Sequence, residues 1–409
     1  MSKKKDVLFL CQYFYPEFIS SATLPFDTAL SLSKEGLDVE ALCGYPKEYN
    51  LENNVPLIET YKGIKITRLK YLQLKRSNFV GRLINYFSFT IAVILRFLKL
   101  KDYKVIIVYS NPPILPLIAS LAKKFFNTKV VFVSYDIYPE IAYVTNTINK
   151  NGVLGKLMEY INGFVTKHIT KVIALSNEMK DYLLEHRIWL KDSQVEVIPN
   201  WFENKKMPDS VDSKNIFSKL KNGNNLVVSY FGNMGTCQDL DTLIKACREL
   251  KKNNRVKFLF AGHGNKLEYL KAVVKNERLS NVYVYDFLHG KDFEDALNIS
   301  DTFIVSLAEG LSGLAVPSKT YSYMMTGKPV IAVIDKNSDI ANDLIDNHAG
   351  YAMEVGESSK LVSAILELLN DLNKRSSMGD NCRKIFLEKY TTEICTQKYV
   401  KMIKRVLED

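Results

Sequence analysis

The sequence predicts an α/β protein made of two doubly wound domains in tandem. Its 409 residues exceed the usual size of one domain, and its hydrophobic content of 47% is that of a folded globular protein. Short apolar runs alternate with helical stretches along the whole chain, which is typical of parallel sheets covered by helices on both faces. A polar stretch near the middle separates two such series, so the chain is predicted to contain two domains of similar size.

The first domain, residues 1–202, opens on the apolar run 7–10 and is predicted to contain six buried strands. These strands are expected at 7–10, 39–42, 105–109, 130–134, 172–175 and 195–198. Residues 203–225 then read ENKKMPDSVDSKNIFSKLKNGNN and show no sustained apolar period. This composition predicts an interdomain linker.

The second domain, residues 226–388, repeats the same alternation. Its strands are expected at 226–231, 256–260, 282–285, 302–305 and 330–334. Residues 389–409 follow, and the part from 390 to 407 has the spacing of an amphipathic helix. Ligands of doubly wound domains bind at the carboxyl ends of the strands, so a cleft in which both domains face one bound molecule is expected.

Composition excludes several classes of protein and site. The six cysteines show no CxxC spacing, so neither a zinc site nor a disulfide framework is predicted, and no metal or other cofactor is expected. The apolar stretch at the N-terminus is short and lacks a small-residue cleavage site, which indicates a first buried strand rather than a secretion signal. A cytoplasmic protein is therefore predicted.

The net charge of +10 suits a membrane surface or a phosphorylated substrate. Residues 65–104 contain an uncharged stretch, 83–95, that is shorter than the roughly 20 residues needed to span a bilayer. Basic residues flank it, at Lys65, Arg68, Lys70, Lys75, Arg76, Arg82, Arg96, Lys99, Lys101 and Lys104. Contact with an anionic membrane and a buried helix with solvated basic ends are both consistent with this pattern. Zinc-finger spacing and RNP-like aromatic motifs are absent from the sequence, so no nucleic-acid binding is predicted.

The segment 310–333, GLSGLAVPSKTYSYMMTGKPVIAV, is predicted to be a loop, a helix and a buried strand. Pro317 suits the first turn of a helix, whose free N–H groups favour an anion, and Lys319 adds a positive charge there. Ser322 lies on the same helical face as Lys319, and Gly327 ends the helix. A phosphate site is predicted; an ordinary helix-to-strand turn is the alternative.

Four further loops follow predicted strands. GNMG contains Gly232, Asn233 and Gly235, and AGHGN contains Gly262 and Gly264; such turns let backbone amides approach a diphosphate. YDIYPEI carries Asp136 and Glu140, whose carboxylates could orient a hydroxyl or accept its proton, although Asp136 could instead cap a helix. QYFYPEFISS supplies Tyr15, Pro16, Glu17, Ser20 and Ser21 as candidate acceptor contacts. Asp239 and Asp241 are predicted to cap a helix rather than to bind metal.

Six of these motifs, in order, carry a resemblance. QYFYPE, YDIYPE, VIPNW, YFGNMG, AGHG and VPSKTYSYMMTGKPVIA resemble the retaining glycosyltransferases of family four, and within that family the branch that builds capsules, O-antigens and colanic-acid-type polysaccharides. The resemblance covers essentially the whole chain. It implies the glycosyltransferase B fold, with two Rossmann-like domains: an N-terminal acceptor domain, a C-terminal nucleotide-sugar domain and a last helix that crosses back to the first domain.

The resemblance also implies roles for individual residues. The GNMG loop and Lys319 would contact the donor diphosphate, and the backbone from Leu314 through Ala315 to Ser318 would complete the phosphate site. The region from Asp286 to His289, which contains Phe287, would face the base. Asp136 would lie near the reacting sugar. The expected substrates are a nucleotide sugar, with UDP as the expected nucleotide, and a polyprenyl-diphosphate-linked saccharide at the inner face of the plasma membrane, with no metal required.

The sequence departs from the family in two respects that bear on donor binding. The usual arginine and lysine after the first donor-domain strand are missing, and the local residues are Thr236 and Gln238. Many members carry two glutamates eight residues apart before the helix, whereas this chain has Leu314 and Ser322 at those positions, with Glu309 nearby. Two alternatives therefore stay open beside the transferase: a sugar-nucleotide epimerase of similar architecture, and a non-catalytic protein that binds a nucleotide sugar and a membrane.

Overall fold

A computed structural model describes residues 4–46, 54–74, 79–208, 215–221 and 224–408. The strands of these residues, in chain order, are β1 Lys5–Leu10, β2 Val39–Gly44, β3 Ile58–Tyr61, β4 Ile64–Leu69, β5 Tyr103–Tyr109, β6 Lys129–Val133, β7 Lys171–Ala174, β8 Val195–Val197, β9 Leu226–Asn233, β10 Val256–His263, β11 Val282–Asp286, β12 Thr302–Ser306, β13 Val330–Val333 and β14 Gly350–Met353. The α-helices are α1 Ser20–Lys34, α2 Phe79–Ile94, α3 Leu115–Phe126, α4 Glu140–Val144, α5 Val153–Lys167, α6 Asn177–His186, α7 Asp241–Glu249, α8 Leu267–Asn276, α9 Gly290–Ile299, α10 Lys319–Met325, α11 Asp339–Asp346, α12 Ser358–Asn370, α13 Leu372–Lys389 and α14 Thr392–Glu408.

The chain forms two compact units. The first contains residues 1–200, 313–316 and 392–409, and the second contains residues 201–312 and 317–391. Each unit is built on one sheet whose strands are mostly parallel. The predicted α/β class with two parallel sheets is confirmed.

The first unit contains an eight-stranded sheet in the order β3-β4-β2-β1-β5-β6-β7-β8, in which β3 alone runs antiparallel to its neighbour. Successive Val and Ile residues of β5 are fully buried because helices cover both faces of the sheet. Strands β2 and β4 lie on one side of β1, and β5 to β8 lie on the other, so right-handed crossovers place α1 on one face and α2, α3, α5 and α6 on the other. Helix α14 packs against α1, as expected for a last helix that returns to the first unit.

The second unit contains a six-stranded parallel sheet in the order β11-β10-β9-β12-β13-β14. Its core joins the apolar faces of β9, β10, α7 and α12 through buried residues such as Val228, Phe258 and Leu243. The carboxyl ends of β9, β10 and β12 meet at one edge, because these strands are neighbours and parallel. That edge holds the GNMG and AGHGN loops.

All eleven predicted strands are present, with ends that differ by up to three residues. Three strands were missed: β3, β4 and β14. In β4 the buried Ile64 and Ile66 alternate with Lys65 and Thr67, which broke the apolar run on which the prediction depended. Strand β14 has four residues and begins with glycine, a residue that strands disfavour.

Two sequence predictions need correction. Arg68 was counted among the basic residues that could contact a membrane, yet it is 2% exposed and pairs with Glu59 of β3. The predicted linker also contains packed residues, since Phe217 and Leu220 are fully buried and Phe217 contacts Tyr285 edge to face. Residues 209–214 and 222–223 of that linker, and Lys75 and Arg76 of the basic region, lie outside the described residues.

The six cysteines all lie in described parts of the chain and all carry free thiols. Among the helices that the structure describes, none is both long enough and apolar enough to span a bilayer.

Candidate active site

Lys319 lies at the start of α10 beside the last residues of β9. Its Nζ donates a hydrogen bond to Tyr230 Oη at 2.6 Å and lies 3.8 Å from the centroid of the Tyr230 ring. Tyr230 Oη donates in turn to the carbonyl oxygen of Asn233, at 2.9 Å, in the GNMG loop. Burial lowers the pKa of Lys319 to about 7, because the ammonium form is poorly solvated there. The site therefore holds a lysine whose charge changes near neutral pH.

The two glycine loops of the second unit pack backbone against backbone. A Cβ on Gly262 would lie 1.8 Å from the carbonyl oxygen of Gly232, and a Cβ on Gly264 would lie 2.4 Å from that of Met234. The N–H of Met234 donates to His263 O at 2.6 Å, which ties the two loops together. A Cβ on Gly232 would lie 3.6 Å from Lys319 Nζ. The structure thus brings together Gly232, Asn233, Gly262, Gly264 and Lys319, and phosphate binding by this group stays a prediction.

Helix α10 is fixed to β9 by a tyrosine that the sequence analysis did not select. Tyr323 Oη accepts a hydrogen bond from Phe231 N at 2.7 Å and donates to Phe231 O at 3.0 Å. The helix begins at Lys319, two residues after Pro317, at which the sequence predicted the first turn. Gly327 follows the end of the helix and has a positive φ of 69°. Tyr230 was also missed, because an aromatic residue inside a buried strand has the same sequence pattern as a core residue.

The positions of the missing glutamates differ in their surroundings. Ser322 is buried, and its Oγ donates to Lys319 O at 2.8 Å within α10. Leu314 is buried, whereas Glu309 is exposed. Ser318 precedes α10 and is partly exposed. Neither Ser322 nor Leu314 supplies a carboxylate for a ribose.

Asp136 follows β6 in the first unit. The N–H groups of Tyr135 and Asp136 donate to Ser110 Oγ, at 3.1 and 3.2 Å, which fixes the turn in which the carboxylate lies. The N–H of Ile137 donates to Leu314 O at 2.9 Å, and Asp136 forms an isolated antiparallel bridge with Ala315. Burial raises the pKa of Asp136 to about 6. Asp136 caps no helix here; Pro139 occupies the N-cap of α4.

A cavity of about 20 Å³ lies beside this turn and is lined by residues that include Ser110, Asp136, Asn162 and Arg187. That volume accommodates a water molecule and not a sugar. Glu140 begins α4 and forms a two-pronged ion pair with Arg187, with both N–O distances 2.7 Å. Both carboxylate oxygens of Glu140 are therefore paired with Arg187, and proton transfer by Glu140 stays an untested prediction.

The acceptor residues predicted from the sequence lie at the end of β1. The Tyr15 ring stacks on Tyr61 at a centroid distance of 4.0 Å and an angle of 7°, and Phe26 contacts both rings. Arg68 Nη2 donates to the carbonyl oxygen of Tyr15 at 2.8 Å. The contributions of Tyr61 and Arg68 were missed because both lie on the unpredicted hairpin of β3 and β4, which turns at Lys62 and Gly63 with positive φ angles of 49° and 82°.

The remaining predicted acceptor contacts differ in exposure. Pro16 is partly exposed and Glu17 is 6% exposed, while Ser20 and Ser21 form the first turn of α1. In the second unit, Phe287 is 36% exposed and contacts His263 edge to face at 5.1 Å. Gly235 is buried, and its N–H donates to Gln238 Oε1 at 3.0 Å.

Asp239 lies just before α7, whose N-cap is Leu240 and whose first residue is Asp241. Asp239 Oδ1 accepts a hydrogen bond from Thr242 N at 3.2 Å in the first turn of α7. Within the described ranges, no group of three or more His, Cys, Asp and Glu side chains is arranged to hold a metal ion.

Comparison with known families gives two matches that together cover most of the chain. Residues 27–201 match the model described as "Glycosyl transferase 4-like domain", and residues 211–385 match "Glycosyl transferases group 1". A probable glycosyltransferase, WbjE of Pseudomonas aeruginosa, is 24% identical over 304 residues, which are 73% of this chain and 74% of that protein. A poly(ribitol-phosphate) α-N-acetylglucosaminyltransferase of Staphylococcus aureus is 27% identical over 43% of this chain and 35% of its own length.

Solved structures share the fold over nearly the whole chain. Sucrose-phosphate synthase of Thermosynechococcus elongatus gives a TM-score of 0.74 at 14% identity and covers 99% of this chain and 100% of its own. HepE of Anabaena, solved with UDP and glucose, gives 0.71 at 17% identity and covers 98% of this chain and 99% of its own. At these identities the likeness concerns the fold.

Proposed function

We propose a specific activity for this chain on the premise that it is a glycosyltransferase of the two-domain B architecture that uses a nucleotide-sugar donor. It transfers a hexosyl or N-acetylhexosaminyl group from a UDP-sugar to a lipid-linked saccharide, with retention of anomeric configuration and without a metal ion. The product belongs to a bacterial surface polysaccharide of the capsule or O-antigen type. The single observation that carries the proposal is the contact of Lys319 with the GNMG loop through Tyr230.

The donor half of the mechanism rests on Lys319 and the two glycine loops. When the bond between the sugar and the diphosphate breaks, negative charge develops on the leaving group. A protonated Lys319 stabilises that charge, together with backbone amides of the GNMG loop against which it lies. Loss of one such contact typically costs about 3 kcal/mol of activation free energy, or a hundredfold or more in rate.

The acceptor half rests on Asp136. A carboxyl group with a pKa near 6 is ionised at neutral pH and can accept a hydrogen bond or a proton from the attacking hydroxyl. The backbone that holds Asp136 is fixed by Ser110 and by the segment containing Leu314 and Ala315. The aromatic cluster of Tyr15, Phe26 and Tyr61 borders the predicted acceptor loop, where it offers apolar ring surface to a saccharide.

The proposal places the protein on the inner face of the plasma membrane. Helix α2 buries Phe89 and Val93 but exposes Phe87 and Ile91 on its other side. Arg82, Arg96, Lys99 and Lys101 lie within or just beyond this helix, and this charge favours an anionic lipid surface. A lipid-linked acceptor would be found at such a surface.

The test measures release of nucleoside diphosphate from a panel of UDP-, GDP- and dTDP-sugars, with and without a membrane extract that carries lipid-linked saccharides. Release from a UDP-sugar that depends on the extract is expected, and Lys319→Ala is expected to reduce it at least a hundredfold. Lys251→Ala, at an exposed lysine of the same unit, is the matched control. Turnover by Lys319→Ala equal to that of Lys251→Ala would refute the assigned role, and conversion of the donor without any acceptor would indicate an epimerase.

A further inference from the structure

Helix α5 exposes a row of large apolar side chains. Val153, Leu157 and Tyr160 are spaced four and three residues apart, so they share one face, and they are 87%, 50% and 76% exposed. Leu154 extends this face, whereas Val165 and Thr166 lie on the buried side. Single exposed apolar residues are common on protein surfaces, but several on one face of one helix mark a surface that contacts something else.

This row belongs to the same helical layer as α2. Right-handed crossovers place α2, α3, α5 and α6 on one face of the eight-stranded sheet. Helix α3 packs against both α2 and α5, so the three helices form one continuous layer. This layer therefore carries three sets of exposed apolar side chains. They are those of α2, Phe125 at the end of α3 and the row on α5.

The charges and aromatic residues around α5 indicate the kind of partner. Three exposed lysines accompany α5: Lys150 lies just before the helix, Lys156 lies in its first turn and Lys167 is its last residue. Lys167 lies 4.9 Å from the ring of Trp189, a side chain that is itself half exposed. Apolar rows bordered by lysines and by Tyr or Trp are typical of helices that lie in the interface of an anionic bilayer. The acidic residue of α5, Glu159, lies to one side of this face and accepts a hydrogen bond from Tyr143 Oη at 3.2 Å.

Helix α5 is also connected to the turn that holds Asp136. Asn162 donates to the carbonyl oxygen of Tyr138, two residues after Asp136, and Arg187 donates to the same oxygen at 3.3 Å. Tyr143 of α4 donates to Gly155 O of α5 at 3.1 Å. Because α5 follows β6 and α4, its first turn lies at the carboxyl edge of the sheet, the edge at which Asp136 lies.

We propose that the exposed face of α5, defined by Val153, Leu154, Leu157 and Tyr160, binds an anionic lipid bilayer and forms one membrane-contacting layer with α2. The inference rests on the proposed function, whose acceptor is attached to a lipid, and it adds a second contact outside residues 65–104. Contact of α5 with the bilayer would hold the Asp136 turn near the membrane, on the inner side of the helix, because Gly155 and Asn162 hydrogen-bond the segment that follows Asp136.

Sedimentation with vesicles of phosphatidylcholine, with and without phosphatidylglycerol, tests the inference. The full-length chain is compared with Leu157→Glu/Tyr160→Glu on α5 and Phe87→Glu/Ile91→Glu on α2. The matched control is Tyr269→Glu/Leu372→Glu, since these two apolar residues of the second unit are 49% and 60% exposed. The α5 and α2 variants are each expected to lower partition onto the anionic vesicles about tenfold, and the control is expected to bind as the parent does.

The uncharged variant Leu157→Gln/Tyr160→Gln distinguishes loss of apolar contact from charge repulsion, and thermal unfolding verifies that each variant folds. Binding of both α5 variants equal to the parent overturns the inference. A parent dimer that the α5 variants convert to monomer overturns it as well, because a second copy then covers the face. Donor turnover is measured separately, without vesicles but with the membrane extract that carries lipid-linked saccharides: its absence from the parent refutes the proposed activity and leaves the vesicle result to decide the role of α5.

Discussion

Lys319 combines a partly buried side chain with a site proposed for an anion. Burial lowers its pKa to about 7, so the charge of the free lysine changes near neutral pH. A bound diphosphate favours the charged form, so donor binding takes up a proton whenever the free lysine is neutral. The affinity of the site for its donor is therefore coupled to pH.

Affinity for UDP-glucose, as a test donor, is expected to be constant well below pH 7 and to fall up to tenfold per pH unit above it. The sign follows because the free lysine loses its proton above pH 7 and the diphosphate binds the protonated form. Isothermal titration between pH 6 and pH 9 checks this. Lys319→Ala should bind more weakly and without this slope; an equal slope in that variant would assign the titration to another group.

Tyr230→Phe is expected to lower the pKa of Lys319 further. The phenyl ring keeps its contact with Nζ, but the hydroxyl that accepts a hydrogen bond from the ammonium form is lost. A hydrogen bond to a charged group contributes about 1.5–3 kcal/mol, so a decrease of about one pKa unit or more is expected.

The pH at which donor affinity begins to fall should move down by that amount in Tyr230→Phe. The matched control is Tyr351→Phe, which removes a hydroxyl bonded to Glu367 at 2.7 Å on β14. An unmoved pH profile in Tyr230→Phe, with weaker binding at every pH, would show that Tyr230 acts through loop structure alone.

Asp136→Asn is expected to reduce kcat about a hundredfold or more and to leave donor affinity unchanged. In the parent, activity should fall below pH 6 as the carboxyl group is protonated, since burial raises its pKa to about 6. The variant should lose this acid limb from the profile of kcat/KM. A retained acid limb in Asp136→Asn would exclude Asp136 as the titrating group.

The loops that follow β9 and β10 act as one element because their backbones are in contact. Gly262 has a φ of 158°, which L side chains rarely adopt, and a Cβ there would also meet backbone, so both φ and space favour glycine at this position. Its neighbour is a backbone carbonyl that cannot rotate away as a side chain could. Donor binding by the GNMG loop thus depends on a residue of the AGHGN loop.

Gly262→Ala is expected to separate the two loops and to weaken donor binding by tenfold or more, because the new Cβ would lie 1.8 Å from Gly232 O. Fluorescence titration with a nucleotide sugar measures the loss. Gly163→Ala serves as the control, since a Cβ at that position of α5 meets no atom within 4 Å. Equal donor affinity in the two variants would show that the contact is unimportant for binding.

Elements with an unbroken apolar run could be predicted from the sequence, and elements that mix burial with charge could not. The apolar run Val105 to Val108 predicted β5 correctly. Strand β4 instead buries Arg68, which pairs with Glu59, and a charged residue in the sequence indicates an exposed position. The same reasoning holds for the candidate site. The glycine loops and Lys319 were found because glycine and lysine are conspicuous next to apolar residues. Tyr230 and Tyr323 were missed because their roles depend on hydrogen bonds of their hydroxyl groups, and residue spacing does not show where a hydroxyl group points.

The first unit is assembled from distant parts of the chain. Helix α14 buries Tyr399, Met402, Ile403 and Val406 on the side that packs against α1, and Lys404 pairs with Glu35 at 2.7 Å. Arg405 pairs with Glu196 at 2.8 Å, also in the first unit. The outer layer on this face of the sheet is therefore complete only when the last residues of the chain are in place.

Removal of residues 392–409 is expected to destabilise the first unit and to leave the second unit folded. Hydrogen exchange should become faster in α1, whose apolar side loses its cover, and stay slow in β9 and β10. Tyr399→Ala should show the same pattern more weakly, at a cost of about 3–5 kcal/mol for an aromatic residue that is 2% exposed. Protection of α1 equal to that of the full chain would contradict this dependence.

This arrangement of α14 has a consequence for protein synthesis. Domains usually fold in the order in which they leave the ribosome, the N-terminal one first. Here all of the second unit precedes α14 in the chain, so it can form while the first unit still lacks its final helix. A nascent or prematurely terminated chain would present the apolar side of α1 to chaperones and proteases until α14 has been synthesised and has packed against it.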